Sequence, residues 1–291
     1  MTDTRFIRSF FHLLLLSLLP LGAYGIDTAA WTQPFPPHRI ADNLYYVGSR
    51  DLASYLITTP QGHVLINSSL EESVPLIRDS VEKLGFKLTD IRILLISHAH
   101  SDHCAGSAEM LKLTGAKYYV MDEDADVVER GGASKSRVGK GDYTQFPAAK
   151  VDHRLKDGEE VKLGDAVLVA RRTAGHTPGC TTWTMKVMDG GKALNAVVIG
   201  SPNVNPGYIL VGNKNYPSIA TDYEMTFRTL KALPVDLFLG AHGGYYGMEA
   251  KHAHLGRGKE NPFIDPTGYM SYVLDREKAF LTEWEKQKKG K

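Results

Sequence analysis

Three imidazoles and a carboxylate crowd into His98-Ala99-His100-Ser101-Asp102-His103. So many polar groups in one short stretch cannot all face a hydrophobic core. Imidazole nitrogen and carboxylate oxygen are the usual protein ligands of Zn²⁺. Just upstream, Ile91-Arg92-Ile93-Leu94-Leu95-Ile96 is a short, mostly apolar run that predicts a buried strand. Residues 104–113 then predict a helix. The cluster therefore sits where a strand ends, and α/β folds gather their chemistry at the carboxyl ends of strands. This combination points to a metal enzyme.

At 291 residues the chain is long enough for one large domain or two small ones, with ample core. Residues 1–25 differ from the rest. Arg5 and Arg8 precede an apolar run from Phe10 to Leu19, and the small residues Ala23 and Gly25 on either side of Tyr24 suggest cleavage after Gly25. That is the layout of a secretory signal peptide, too short for an ordinary membrane span. We therefore expect an exported, periplasmic protein with its catalytic domain over residues 26–291 and no stable membrane association once the signal is removed. Without residues 1–25, which hold Arg5, Arg8 and Asp3, the chain's 34 basic and 33 acidic residues balance. No basic footprint marks a nucleic-acid partner. Export makes a bridge between the two cysteines, Cys104 and Cys180, chemically possible, with a pair of buried thiols as the alternative.

Along the chain, 44–47, 54–58 and 63–66 predict short strands, and 70–84 a helix closed near Gly85. Strand 117–121 and helix 122–130 follow, the latter opening at an acidic cap. Residues 31–37 read as a proline-rich, extended lead-in, and 131–150 as a long loop. Strands at 161–163, 166–172, 181–188 and 195–199 come next. A helix near 219–232, a strand at 235–239 and a last helix at 268–287 complete the chain. Two successive blocks of this kind fit two packed sheets with helices outside.

Two further histidines follow apolar strands: His176 in Thr173-Ala174-Gly175-His176-Thr177-Pro178-Gly179, and His242 in Gly240-Ala241-His242-Gly243-Gly244. Alone, each reads as a hydrogen-bonded loop histidine. Beside the opening cluster they read as ligands, with small neighbours that let the backbone come close to a metal. His12, His38, His63, His153, His252 and His254 have no ligand-like context. Tyr245 and Tyr246 read as aromatic packing.

Segments 98–103, 173–179 and 239–244 resemble the three metal-binding motifs of the metallo-β-lactamase superfamily, in the family's order, and the resemblance spans essentially the whole chain after residue 25. It implies an α+β fold, the four-layer αββα sandwich of two mixed sheets flanked by helices, with two zinc ions in a cleft at the sheet edge. Carried over, His98, His100 and His176 would hold the first zinc, and Asp102, His103 and His242 the second. Many members place a bridging aspartate or a cysteine after the strand equivalent to 195–199. This chain reads Gly200-Ser201-Pro202-Asn203 there, which resembles β-lactamases of subclass B3.

The resemblance implies a β-lactam substrate opened by zinc-activated water, with Asp102 orienting the nucleophile and no covalent intermediate. A thioester or lactone hydrolase on the same scaffold is the rival reading. In the subclass, serines before the Pro-Gly-Tyr segment bind the substrate carboxylate. Pro202 and Val204 stand at those positions, leaving Ser201, Asn203 and Asn205 as nearby polar substitutes.

Overall fold

At residues 62–66 and 91–95 the apolar run is nearly continuous because both faces of the strand are buried, and that dictates the layering. The computed structural model describes residues 28–132, 145–258 and 260–290. The expected signal peptide and residues 133–144 of the long loop lie outside the described residues.

The first sheet has seven strands in chain order: β1 (His38–Ala41), β2 (Leu44–Tyr46), β3 (Tyr55–Thr59), β4 (Gly62–Ile66), β5 (Ile91–Leu95), β6 (Lys117–Met121) and β7 (His153–Leu155). Its first four strands run antiparallel and the remaining pairings are parallel. Val64, Ile66, Ile93 and Leu95 point inward to the core between the sheets, while Leu65 and Leu94 point outward under helices. The alternation follows from the two-residue period of a strand. The helices of this half are α1 (Ala29–Thr32), α2 (Ser73–Lys83), α3 (Ser101–Cys104), α4 (Ser107–Thr114) and α5 (Asp122–Glu129). Helix α2 buries Val74, Ile77 and Val81, one stripe at helical spacing, against that outer face.

The second sheet has five strands: β8 (Glu160–Leu163), β9 (Ala166–Arg172), β10 (Thr181–Asp189), β11 (Lys192–Ile199) and β12 (Leu237–Gly240). Their spatial order is β12-β11-β10-β9-β8, antiparallel except for the parallel β11–β12 pair. Leu168, Trp183, Met185 and Val198 meet the inward residues of the first sheet in one core. Each such side chain, fully buried, contributes roughly 1.5–3 kcal/mol. Helices α6 (Ile219–Ala232), α7 (Met248–His254) and α8 (Pro266–Lys289) belong to this half. Tyr223, Phe227 and Phe280 stack where α6 meets α8. The expected αββα sandwich is what forms.

Four details differ from the sequence reading. Where one helix was expected at 104–113 there are two, α4 and, ahead of it, the short α3, which carries Asp102 and His103. Gly106 makes the break. Its N–H donates to the Ser69 carbonyl at 2.9 Å, and a Cβ there would sit 2.7 Å from the Ser68 carbonyl oxygen. Strands β1 and β7 were not expected, being short and carrying little apolar alternation. The lead-in is not wholly extended, since it opens with α1 before Pro34 bridges to Ser49. Finally, α7 follows His242 where no helix was read. Cys104 and Cys180 are both free thiols and buried. No helix among the described residues is long and apolar enough to cross a membrane.

Candidate metal centre

The segment after β5 is held from several directions by hydrogen bonds. Ser97 N–H donates to Asn67 Oδ1 at 2.8 Å, and the Ser97 carbonyl accepts from Thr181 N–H at 2.7 Å. The Trp183 indole donates to the Ile96 carbonyl at 3.1 Å. Asn67 itself adopts a φ of 65°, a left-handed turn that asparagine tolerates better than most residues. This backbone places His98 and His100 on one side and, through α3, Asp102 and His103 on the other.

His98, His100 and His176 converge. Their ring centroids lie 4.6–4.7 Å apart, and one nitrogen from each falls within 4.8 Å of the others. His98 is buried with its Nε2 unpartnered, while its Nδ1 lies 3.2 Å from Ser97 Oγ. His176 Nδ1 donates to the Asn203 carbonyl at 2.8 Å. That bond fixes the tautomer and leaves Nε2 as the free lone pair. Burial, reinforced by the neighbouring imidazoles, holds His98 and His176 well below the ordinary histidine range. They are neutral, the form that binds a metal.

A second group adjoins the first. Asp102 Oδ2 is approached by His103 Nε2 at 3.1 Å and by His242 Nε2 at 3.3 Å. Neither ring nitrogen of His103 has a hydrogen-bond partner of ordinary geometry. Donor atoms of His98, Asp102 and His103 also lie within 4.8 Å of one another, so the two groups share one cleft. Burial alone would raise the Asp102 carboxyl, but His103 and His242 outweigh it and hold the group well below its usual range. Burial alone would lower His242, yet Asp102 and Asp51 raise it to about 9. Orphaned buried imidazole nitrogens around a carboxylate are what a bound divalent cation would satisfy, so the residues fit zinc.

Asp51 was missed in the sequence. Its Oδ2 accepts from His242 Nδ1 at 2.8 Å, and its Oδ1 accepts from Gly244 N–H at 3.0 Å. A carboxylate behind a ligand histidine orients the ring and raises its basicity. Asp124 was read only as part of an acidic helix start, but it is buried between the loops carrying His98 and His176. The small residues around His176 also have a packing role that the sequence did not show. A Cβ on Gly175, at a φ of 129°, would strike the Tyr223 ring, and one on Gly179 would strike Asp124. Both glycines make room for neighbouring protein atoms.

Of the expected substrate residues, Ser201 is only 1% exposed, with its Oγ 3.3 Å from the Tyr245 hydroxyl. Asn203 is half-buried and donates from Nδ2 to the same hydroxyl at 2.9 Å. Asn205 is half-buried, and its carbonyl closes the turn to Tyr208. Tyr245, 5.0 Å from the His242 ring, thus joins Ser201 and Asn203 to the second group. Tyr246 is buried and bonded to Tyr55. Trp31, from α1, lies 6.0 Å from His242 on the other side.

Residues 51–242 match the family profile described as the metallo-beta-lactamase superfamily. The chain belongs to the metallo-β-lactamase superfamily. The native FEZ-1 metallo-β-lactamase from Legionella gormanii is 52% identical and superimposes with a TM-score of 0.85 over 88% of this chain and 98% of that one. LRA-12, a class B3 di-zinc metallo-β-lactamase from an Alaskan soil metagenome, is 35% identical, with a TM-score of 0.83 over 89% and 97%. Among curated proteins, a hydroxyacylglutathione hydrolase from Rhodopseudomonas palustris is 30% identical over 70% of this chain, a match spanning 66% of that relative. The structural neighbours of this superfamily member thus include a β-lactamase of class B3.

Proposed function

We propose that this metallo-β-lactamase superfamily member is an exported, zinc-dependent hydrolase that opens the β-lactam ring. The observation that carries the reading is the pair of adjoining donor groups, His98/His100/His176 and Asp102/His103/His242, in a chain 52% identical to FEZ-1 over 88% of its length. Both groups would hold zinc. Bound zinc supplies Lewis acidity and, by lowering the pKa of water, a nucleophile at neutral pH.

The chain's own residues do the positioning. His98 and His176, held neutral by burial, converge with His100 so that one nitrogen of each faces a common point. Asp102 bridges His103 and His242 and faces the nucleophile's position. Tyr245, backed by buried Ser201 and bonded to Asn203, forms a polar edge near His242 that suits the carboxylate of a β-lactam, and Asn205 lies two residues further along the same loop. No aspartate or cysteine follows β11, so with two zinc ions bound the centre would keep a net positive charge that favours an anionic substrate. Export rests on the composition of residues 1–25.

The thioester reading has one finding in its favour, the hydroxyacylglutathione hydrolase relatives. Their lower identity and coverage weigh less than the match to FEZ-1. Zinc-loaded protein assayed on a chromogenic cephalosporin and on S-lactoylglutathione, each with and without chelator, decides between them. Chelator-sensitive ring opening with little thioester cleavage is expected. The reverse ranking overturns the proposal.

A further inference from the structure

Asp124 sits at the start of α5, buried to 1% exposure, where an exposed acid would have sufficed to favour the helix N-terminus. Its side chain turns instead toward the metal centre. Oδ2 accepts from Ala99 N–H at 2.9 Å and from Thr177 Oγ1 at 2.7 Å, and Oδ1 accepts from Gly179 N–H at 2.8 Å. Ala99 stands between His98 and His100, and Thr177 directly follows His176. One carboxylate thus ties the backbone beside all three histidines of the first group.

We propose that Asp124 is a positioning residue for the first zinc site, a clamp that fixes His98, His100 and His176 in their converging geometry before the ion binds. The inference rests on the zinc-ligand reading above. Two observations support it independently. All three partners donate, so only a side chain that accepts at both oxygens satisfies them. An asparagine turned either way would aim its NH₂ at a backbone N–H, of Ala99 or of Gly179. Second, the chain makes room for this carboxylate, since a Cβ on Gly179 would lie 2.7 Å from Asp124 Cβ and Cγ. The second group has no such tie to Asp124. Its helix α3 is anchored separately, through Ser69 and Gly106.

The test is a zinc titration of the full chain against a chromophoric competitor, resolving both sites, for wild type, Asp124→Asn and Thr177→Val. Absorption spectra with Co²⁺ as the only metal report the geometry of the three-histidine site. Asp124→Asn is expected to weaken first-site affinity about 10- to 100-fold, as loss of such outer partners does elsewhere. It should shift the cobalt bands and leave the second site near wild type. Thr177→Val, which keeps both backbone donors, should fall between the two proteins and stays informative if Asp124→Asn does not fold. Val81→Ala, a core truncation in α2, should lower thermal stability without moving either affinity.

Wild-type affinity and cobalt bands in both site variants overturn the clamp. So does an equal loss in Val81→Ala, which would reduce the effect to general destabilisation. Wild-type protein that binds no zinc, or binds it and cleaves no β-lactam, instead overturns the functional reading beneath it.

Discussion

The two halves of the metal centre are built on different principles. His98, His100 and His176 stand on loops bonded into both sheets, with Asp124 at their back, and burial holds His98 and His176 neutral. The other half is carboxylate-rich, with Asp102 and His103 on α3 and His242 just after β12. Asp102 faces His103 and His242, and Asp51 stands behind His242. It also leans on the lead-in, through Trp31 beside His242 and through Arg50, which bonds both Gln33 and Glu249 of α7. One half is preorganised by the fold's interior, and the other by charge pairing near its rim. Local perturbations should therefore separate them.

The largest effect should come from Asp102→Ala. It removes the carboxylate that His103 and His242 share, so the second half loses its centre while the three-histidine group keeps its backbone ties. A drop in kcat/KM of about 10³-fold, or ~4 kcal/mol in the barrier, is expected. Zinc stoichiometry should fall from two to one. Retention of two tightly held ions by this variant would break the division into halves. Asp51→Ala should act more mildly, through ring orientation, weakening second-site zinc about 10- to 100-fold. First-site affinity measured in the same titration should not move. If both sites weaken together, Asp51 supports the whole cleft and the contrast fails.

The division also explains what could be read from the sequence. The ligand candidates were legible because they cluster at strand ends in short, polar segments that a core would reject. Both sheets were legible from apolar runs such as 91–96 and 195–199. Asp51 and Asp124 were not, since each partner lies far along the chain: Asp51 meets His242 and Asp124 meets Gly179 only after the sandwich closes. One signal was available for Asp124. Asp122, Glu123 and Asp124 are three acids in succession where one helix start needs fewer, and only Asp124 is buried. Strands β1 and β7 escaped because three or four residues cannot display a period. They are strands because neighbours complete their hydrogen bonds. The break at Gly106 was hidden for a related reason. What forces it is the carbonyl wall of residues 68–70, invisible in local propensity.

The smallest predicted effect sharpens the comparison at the base of the lead-in. His38 on β1 is buried between Tyr46 and Phe263, with the His252 ring of α7 at 4.5 Å and Phe35 also against it. Burial is the main cause that lowers it to about 4, opposed by its bond to the Pro36 carbonyl, with His252 adding to the fall. A histidine that titrates lower folded than unfolded takes up its proton preferentially in the unfolded chain. Its contribution is present above about pH 6.5 and is lost as the pH falls toward 4. Between pH 7 and 5.5 that loss should be about 1 kcal/mol. Urea unfolding of zinc-free wild type and His38→Gln at the two pH values isolates it, because other titrating groups are common to both proteins. The variant should lose about 1 kcal/mol less than wild type over that interval. Equal losses would mean that His38 takes up its proton without disturbing the fold. The lead-in and α7, which Arg50 links beside the second half of the centre, would then not be held together by a neutral His38.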